Sequence, residues 1–120
     1  MAPTSRIDSE LHESLPLSPS AFFVLFALAD GEKHGYRIMQ EVKALSGDRV
    51  QMGPATLYTT IQRLSDKALI EEVANKCDDR RRNYRLTLSG RRLLHAEFSR
   101  QRDVLLLARK KKIFPFGGEA

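Results

Sequence analysis

Cysteine is almost missing from this chain: Cys77 is the single thiol, and tryptophan does not occur. One cysteine excludes an internal disulfide and a zinc site built from several thiolates, and it suits a reducing compartment. No apolar run approaches the roughly 18 residues of a membrane-spanning helix. Residues 1–17 carry a formal charge of −2 and lack an apolar centre, unlike a secretory signal. The expected location is therefore the cytoplasm, with no membrane partner. Repeats and low-complexity tracts are absent. So are a Gly-rich phosphate loop, a paired metal-ligand motif, and a nucleophile with an evident base and orienter. His12 and His95 have no Cys or paired carboxylate nearby at ligand spacing. Neither an enzyme nor a metal or cofactor is expected.

What is present is a core and a skewed charge. The 120 residues are 42% hydrophobic, enough for one compact domain and an extra element. Net charge is +5, distributed as −2 over residues 1–17, 0 over 18–52, +2 over 53–86 and +5 over 87–120. An anionic partner is consistent with that excess, which alone is weak evidence.

Periodicity and punctuation divide the chain. Residues 1–17 read as a flexible N-terminal arm. Ser18-Pro19 starts a helix as N-cap and first-turn proline. The run from Ala21 to Ala29 is almost wholly apolar, a helix needing cover on more than one side, and Asp30-Gly31 is its expected stop. His34-Gly35-Tyr36 opens a second helix, with Tyr36, Ile38, Met39, Val42 and Leu45 expected to be buried and Gly47 to close it. Gly53-Pro54 opens a third, to about Lys67, on which Leu57, Ile61 and Leu64 recur at i, i+4 and i+7. Residues 69–73 and 82–86 read as a hairpin around a polar turn. Thr87 caps a last long helix over residues 88–112 or so, with 115–120 a disordered tail. The fold class is mainly α with a small β-hairpin: a winged helix-turn-helix over residues 18–87 and a C-terminal dimerisation helix over 88–114.

The third helix carries the function. Opposite its apolar stripe stand Ala55, Thr59, Gln62, Arg63 and Asp66, with Thr56 beside them and Tyr58 at the edge. Taken alone this is an ordinary amphipathic surface helix. Between a preceding helix and a following hairpin it becomes a DNA-reading element. Thr56, Thr59, Gln62 and Arg63 are the candidate readers; Gln and Arg make bidentate contacts to adenine and guanine edges worth about 1–3 kcal/mol each. Tyr58 is better placed for a phosphate, and Asp66, which repels DNA, is expected beyond the contact. Lys76, Arg80, Arg81 and Arg82 flank the hairpin turn, where a wing meets the DNA backbone or minor groove. The alternative is solvated charge balanced by Asp78 and Asp79, with Arg82 turned to an acidic neighbour. His34 reads as structural, with Tyr36 in the core and its hydroxyl toward DNA. Cys77, in the wing, is more simply incidental than a redox switch, and Arg109-Lys110-Lys111-Lys112 more simply a dipole-matched helix end than a DNA-binding tail.

At four places the chain resembles the PadR-like transcriptional regulators. They are Asp30-Gly31 followed by His34-Gly35-Tyr36; Gly53-Pro54-Ala55-Thr56-Leu57-Tyr58; Leu64-Ser65-Asp66-Lys67-Ala68-Leu69-Ile70; and Arg82-Asn83-Tyr84-Arg85-Leu86-Thr87-Leu88-Ser89-Gly90. Together they span roughly residues 18–95. The resemblance implies a dimeric repressor that binds an operator, of the compact branch with one dimerising helix, and small hydrophobic ligands at the dimer interface. Three positions depart from the family's usual pattern: Ala68 replaces Gly, Thr59 replaces Pro, and Asn83 replaces an aromatic. Ala68 implies a slightly different helix stop.

The Phe-rich first helix and the long last helix both have apolar surface to spare, with Phe22, Phe23, Phe26, Leu94, Phe98 and Leu105 the candidate dimerisation residues. Leaving it wet is costly at roughly 25 cal/mol per Å². Pairing two chains about a two-fold axis buries it and presents two reading helices to a palindrome in double-stranded DNA. The competing arrangement is a monomer whose last helix folds back on its own core. The competing function is a winged-helix module that binds an acidic protein without DNA.

Overall fold

Ser18 and Pro19 do open the first helix in the computed structural model, which describes residues 14–74 and 82–113. Helix α1 spans Pro19–Ala27, and the Ser18 hydroxyl oxygen accepts the Ala21 N–H at 3.3 Å. It ends two residues earlier than the sequence predicts, at Ala27 where the apolar run continues to Ala29. The Lys33 ammonium accounts for this: it donates to the Ala27 carbonyl at 2.7 Å and pairs with Asp30, closing the helix end from outside. Gly31 then takes φ +147°, open to glycine alone at little cost.

Lys33–His34 form a short strand β1, and helix α2 follows as Gly35–Leu45. His34 is its N-cap, Nδ1 accepting the Arg37 N–H at 3.3 Å, which is the structural role its position predicts. The buried line of α2 is Gly35, Ile38 and Val42, at i, i+3 and i+7. Tyr36 and Leu45, expected in the core, are 62% and 38% exposed because they fall beside that line. The Ser46 hydroxyl accepts the Val50 N–H at 2.9 Å and shapes the turn into helix α3, Pro54–Asp66.

Strands β2, Ile70–Val73, and β3, Asn83–Leu86, form the expected hairpin, with Glu71 opposite Arg85 and Glu72 opposite Tyr84. The sequence reading lacks β1, which pairs antiparallel with β3 and gives the sheet the order β1-β3-β2. Helix α4 runs Leu88–Lys110, its N-cap Thr87 accepting from the Gly90 N–H at 3.0 Å. One core joins these elements: Val24, Leu25 and Leu28 of α1 and its end, Ile38 and Val42 of α2, Leu57, Ile61 and Leu64 of α3, Tyr84 and Leu86 of β3, and Leu93 and Leu94 of α4. Leu94, a candidate for dimerisation, is 5% exposed and already spent on the chain's own core, because the first turns of α4 lie against it.

Candidate nucleic-acid interface

Helix α3 is anchored by Leu57, Ile61 and Leu64, which leaves Thr56, Tyr58, Thr59, Gln62 and Arg63 all exposed. Its open surface divides into three strips. Ala55, Thr59, Gln62 and Asp66, spaced i, i+4, i+7 and i+11, form the outward line. Thr56, Thr60, Arg63 and Lys67 lean toward α1 and, with Ser18 and Ser20, line an open groove of about 600 Å³ whose outer edge includes Ala55 and Thr59. Tyr58 leans the other way, toward α2: a Cβ at Gly35 would lie only 2.9 Å from the Tyr58 hydroxyl oxygen. The absence of a side chain at Gly35 thus admits the Tyr58 ring, and the two glycine-containing motifs of the sequence meet here. Tyr36 stands exposed on the same first turn of α2.

Several polar groups on α3 are already engaged. The Thr59 hydroxyl donates to the Ala55 carbonyl and the Thr60 hydroxyl to the Thr56 carbonyl, both at 2.9 Å. The Gln62 amide donates to Asp66 Oδ1 at 2.8 Å, so Asp66, expected on this face but beyond the DNA contact, is joined to a candidate reader.

The end of α3 holds a backbone position that the sequence reading set differently. Ala68 takes φ +58°, the left-handed geometry that glycine adopts most easily, where a changed stop was expected. The Leu69 N–H reaches the Leu64 carbonyl and the Ala68 N–H the Ser65 carbonyl, both at 2.9 Å. These are the paired bonds of a Schellman stop. Leu64 and Leu69 are both buried there, and Thr87 ties the stop to α4 by donating its hydroxyl to the Ala68 carbonyl at 2.6 Å. Tertiary contacts therefore hold Ala in a conformation it disfavours.

In the wing, Arg82 remains exposed although its Nε lies 3.8 Å from a Glu72 carboxylate oxygen. Arg85 pairs with Glu71 at 2.7 Å across the ladder. Tyr84, between them in sequence, turns the other way from Arg85 and is buried in the core. Burial and the Glu72 carboxylate push its hydroxyl pKa up, against a smaller opposing pull from Arg82. Lys76, Arg80, Arg81 and Cys77 lie outside the described residues.

The sequence reading missed Glu97. Its carboxylate is 1% exposed, yet it accepts from the Leu17 N–H at 2.6 Å, from Arg100 Nε at 2.7 Å and from Gln101 at 3.4 Å. Burial pushes its pKa up, but these hydrogen bonds and the Arg100 charge outweigh burial and leave it below the ordinary value. The only sequence signal was a Glu on the apolar side of a helix. Beside it, Phe22, Phe26 and Phe98 stack edge to face or tilted, with centroids 5.0–5.7 Å apart, and Phe23 joins Phe22 at 4.9 Å. Beyond Phe98 the helix leaves its own core. Val104, Leu105, Leu106 and Leu107 are 51%, 40%, 48% and 58% exposed.

Helices α1 to α3 on one core, a three-stranded wing and an uncovered polar face on α3 define a winged helix-turn-helix protein. Residues 24–96 match the model of the transcriptional regulator PadR-like family, and the chain belongs to that family. An uncharacterized 37.1 kDa protein in transposon TN4556 of Streptomyces fradiae is 43% identical over 74 residues, 62% of this chain. The chain spans only 20% of that relative's length. A PadR family transcription regulator from Clostridium difficile has a similar fold, with a TM-score of 0.64 at 19% identity over 78% of this chain and 97% of that one. Bacillus subtilis PadR in complex with operator DNA aligns at TM-score 0.58 and 25% identity, over 68% of this chain and 46% of that one. Among the described residues, no helix is long and apolar enough to cross a membrane.

Proposed function

We propose that this regulator is a homodimer that binds a palindromic operator in double-stranded DNA, represses transcription there, and is released by a small hydrophobic ligand. The observation that carries the reading is the uncovered α3 face, with Thr56, Thr59, Gln62 and Arg63 exposed beside the wing. In this reading those four meet base edges. Tyr36, on the first turn of α2, and Tyr58, on α3 with its hydroxyl toward that turn, hold backbone phosphates, as do Arg82 and the neighbouring Lys76, Arg80 and Arg81. The operator complex of Bacillus subtilis PadR supports this use of the fold. The apolar second half of α4 supports pairing through Phe98 and Leu105, with Phe22, Phe23 and Phe26 at the border. A ligand entering that aromatic border changes the spacing of the two reading helices, and with it the fit to half-sites about 34–36 Å apart.

The test is a gel-shift titration of the purified chain on DNA from upstream of its own gene, at several salt concentrations. A sequence-dependent shift that weakens steeply with salt is expected. Failure to shift any duplex at low salt rules the reading out.

A further inference from the structure

We propose that Thr59, Gln62 and Asp66 form an acceptor strip on α3 that selects bases presenting an amino group into the major groove, adenine through N6 and cytosine through N4. The inference rests on the DNA-binding reading above and adds which bases the face accepts. Its ground is where the hydrogens go. Thr59 spends its hydroxyl hydrogen on the Ala55 carbonyl at 2.9 Å, and Gln62 spends one amide hydrogen on Asp66 Oδ1 at 2.8 Å. What these exposed side chains turn outward is mostly lone pairs: the Thr59 oxygen, the Gln62 carbonyl and the Asp66 carboxylate. One Gln62 amide hydrogen stays free beside the Gln62 carbonyl. That is the donor–acceptor pair that matches adenine N7 and N6, and the bond to Asp66 holds the amide in one orientation.

Guanine offers N7 and O6, and thymine O4, to the same groove, all of them acceptors. Set against a carboxylate, each is repelled. Asp66 thereby acts in two ways. It rejects guanine and thymine on the contacted strand, which is where the discrimination arises, and its charge weakens binding to every phosphate backbone alike, which lowers affinity for all duplexes without altering their ratio. A residue that repels DNA belongs on the reading line for this reason.

The experiment is selection of bound duplexes from a pool with a randomised stretch, run in parallel with the full chain, Asp66→Asn and Asp66→Ala. Both variants remove a negative charge from the last turn of α3, where the helix dipole disfavours it, so both should fold. Thermal unfolding followed by circular dichroism checks this. The unaltered protein is expected to favour one base pair at one position of each half-site by roughly tenfold, and replacing the adenine or cytosine of that pair by purine or 2-pyrimidinone, which lack the major-groove amino group, is expected to abolish the preference. Both variants are expected to lose that preference and to bind the unselected pool more tightly. If the variants enrich the same base pair to the same extent, or if the duplex with the amino-free analogue binds as well as the natural one, the acceptor strip is wrong while DNA binding stands. If the unaltered protein binds duplexes without enriching any sequence, base reading fails and the strip with it. Binding to no duplex overturns the DNA-binding reading itself.

Discussion

Two residues store opposite kinds of cost. Ala68 sits at φ +58°, where an L side chain loses roughly 1–2 kcal/mol per residue against the right-handed form. Glycine relieves that strain but gains freedom in the unfolded chain, which offsets part of it. Ala68→Gly is therefore expected to stabilise the protein by about 0.5–1 kcal/mol. A higher midpoint in thermal unfolding checks it; a lower one means that the tie from Thr87 depends on the alanine backbone. Glu97 is the reverse case, a buried charge that its partners more than compensate. Its folded pKa lies below the ordinary 4.5, so its contribution is complete above that value and disappears as pH falls through the folded pKa. Glu97→Gln is expected to cost about 2 kcal/mol at pH 7, the scale of hydrogen bonds to a charged group. The deficit should shrink as pH falls through the folded pKa, where the native carboxylate itself becomes protonated. Denaturant unfolding at pH 7 and at stepwise lower pH measures it. A deficit that does not change with pH means that shape, not charge, holds Leu17.

At the scale of elements, what was legible in the sequence is what is decided locally. Ser18 and Thr87 cap the helices that follow them, Gly53-Pro54 opens α3, and Leu57, Ile61 and Leu64 mark its inner line, because each depends on neighbours a few residues away. The misses depend on distant chain. Strand β1 exists only because Lys33 and His34 find Tyr84 and Asn83 of β3. Glu97 is buried by an N–H from Leu17, far away in sequence, and Leu94 is drawn inward by the packing of α4 on the core. Of the candidate interface, the exposed polar face of α3 was legible, but not the commitment of Gln62 to Asp66, which i, i+4 spacing permits without requiring. Gly90 shows how tightly α4 is seated: a Cβ there would fall 1.9 Å from the Leu69 carbonyl oxygen, a backbone atom that cannot swing away. Gly90→Ala is expected to destabilise by about 3 kcal/mol, at the upper end of ordinary overpacking. Unchanged unfolding would mean that α4 can slide along the sheet.

For the whole molecule the decisive surface is the one its own core leaves uncovered. The second half of α4 exposes Val104, Leu105, Leu106 and Leu107 in succession, and Phe98 one face earlier is 37% exposed. At roughly 25 cal/mol per Å² the association of two such surfaces is a sizeable driving force. A monomer with α4 folded back on its own core would have covered Leu105, which is 40% exposed. Leu105→Glu places a charge in the proposed seam, far along α4 from the reading helix. Light scattering is expected to report a monomer. Affinity for a full palindrome is expected to fall by about a hundredfold, because the second half-site contact ceases to be intramolecular. Two controls bind this result to dimerisation. Affinity for a duplex carrying one half-site should be unchanged, since α3 is untouched. The slope of log affinity against log salt should drop to about half, because each binding unit now releases half as many counterions. An intact dimer in light scattering removes Leu105 from the interface. A monomer that keeps full palindrome affinity removes the dimer from the account of DNA binding, and with it any ligand that acts by changing the distance between two reading helices.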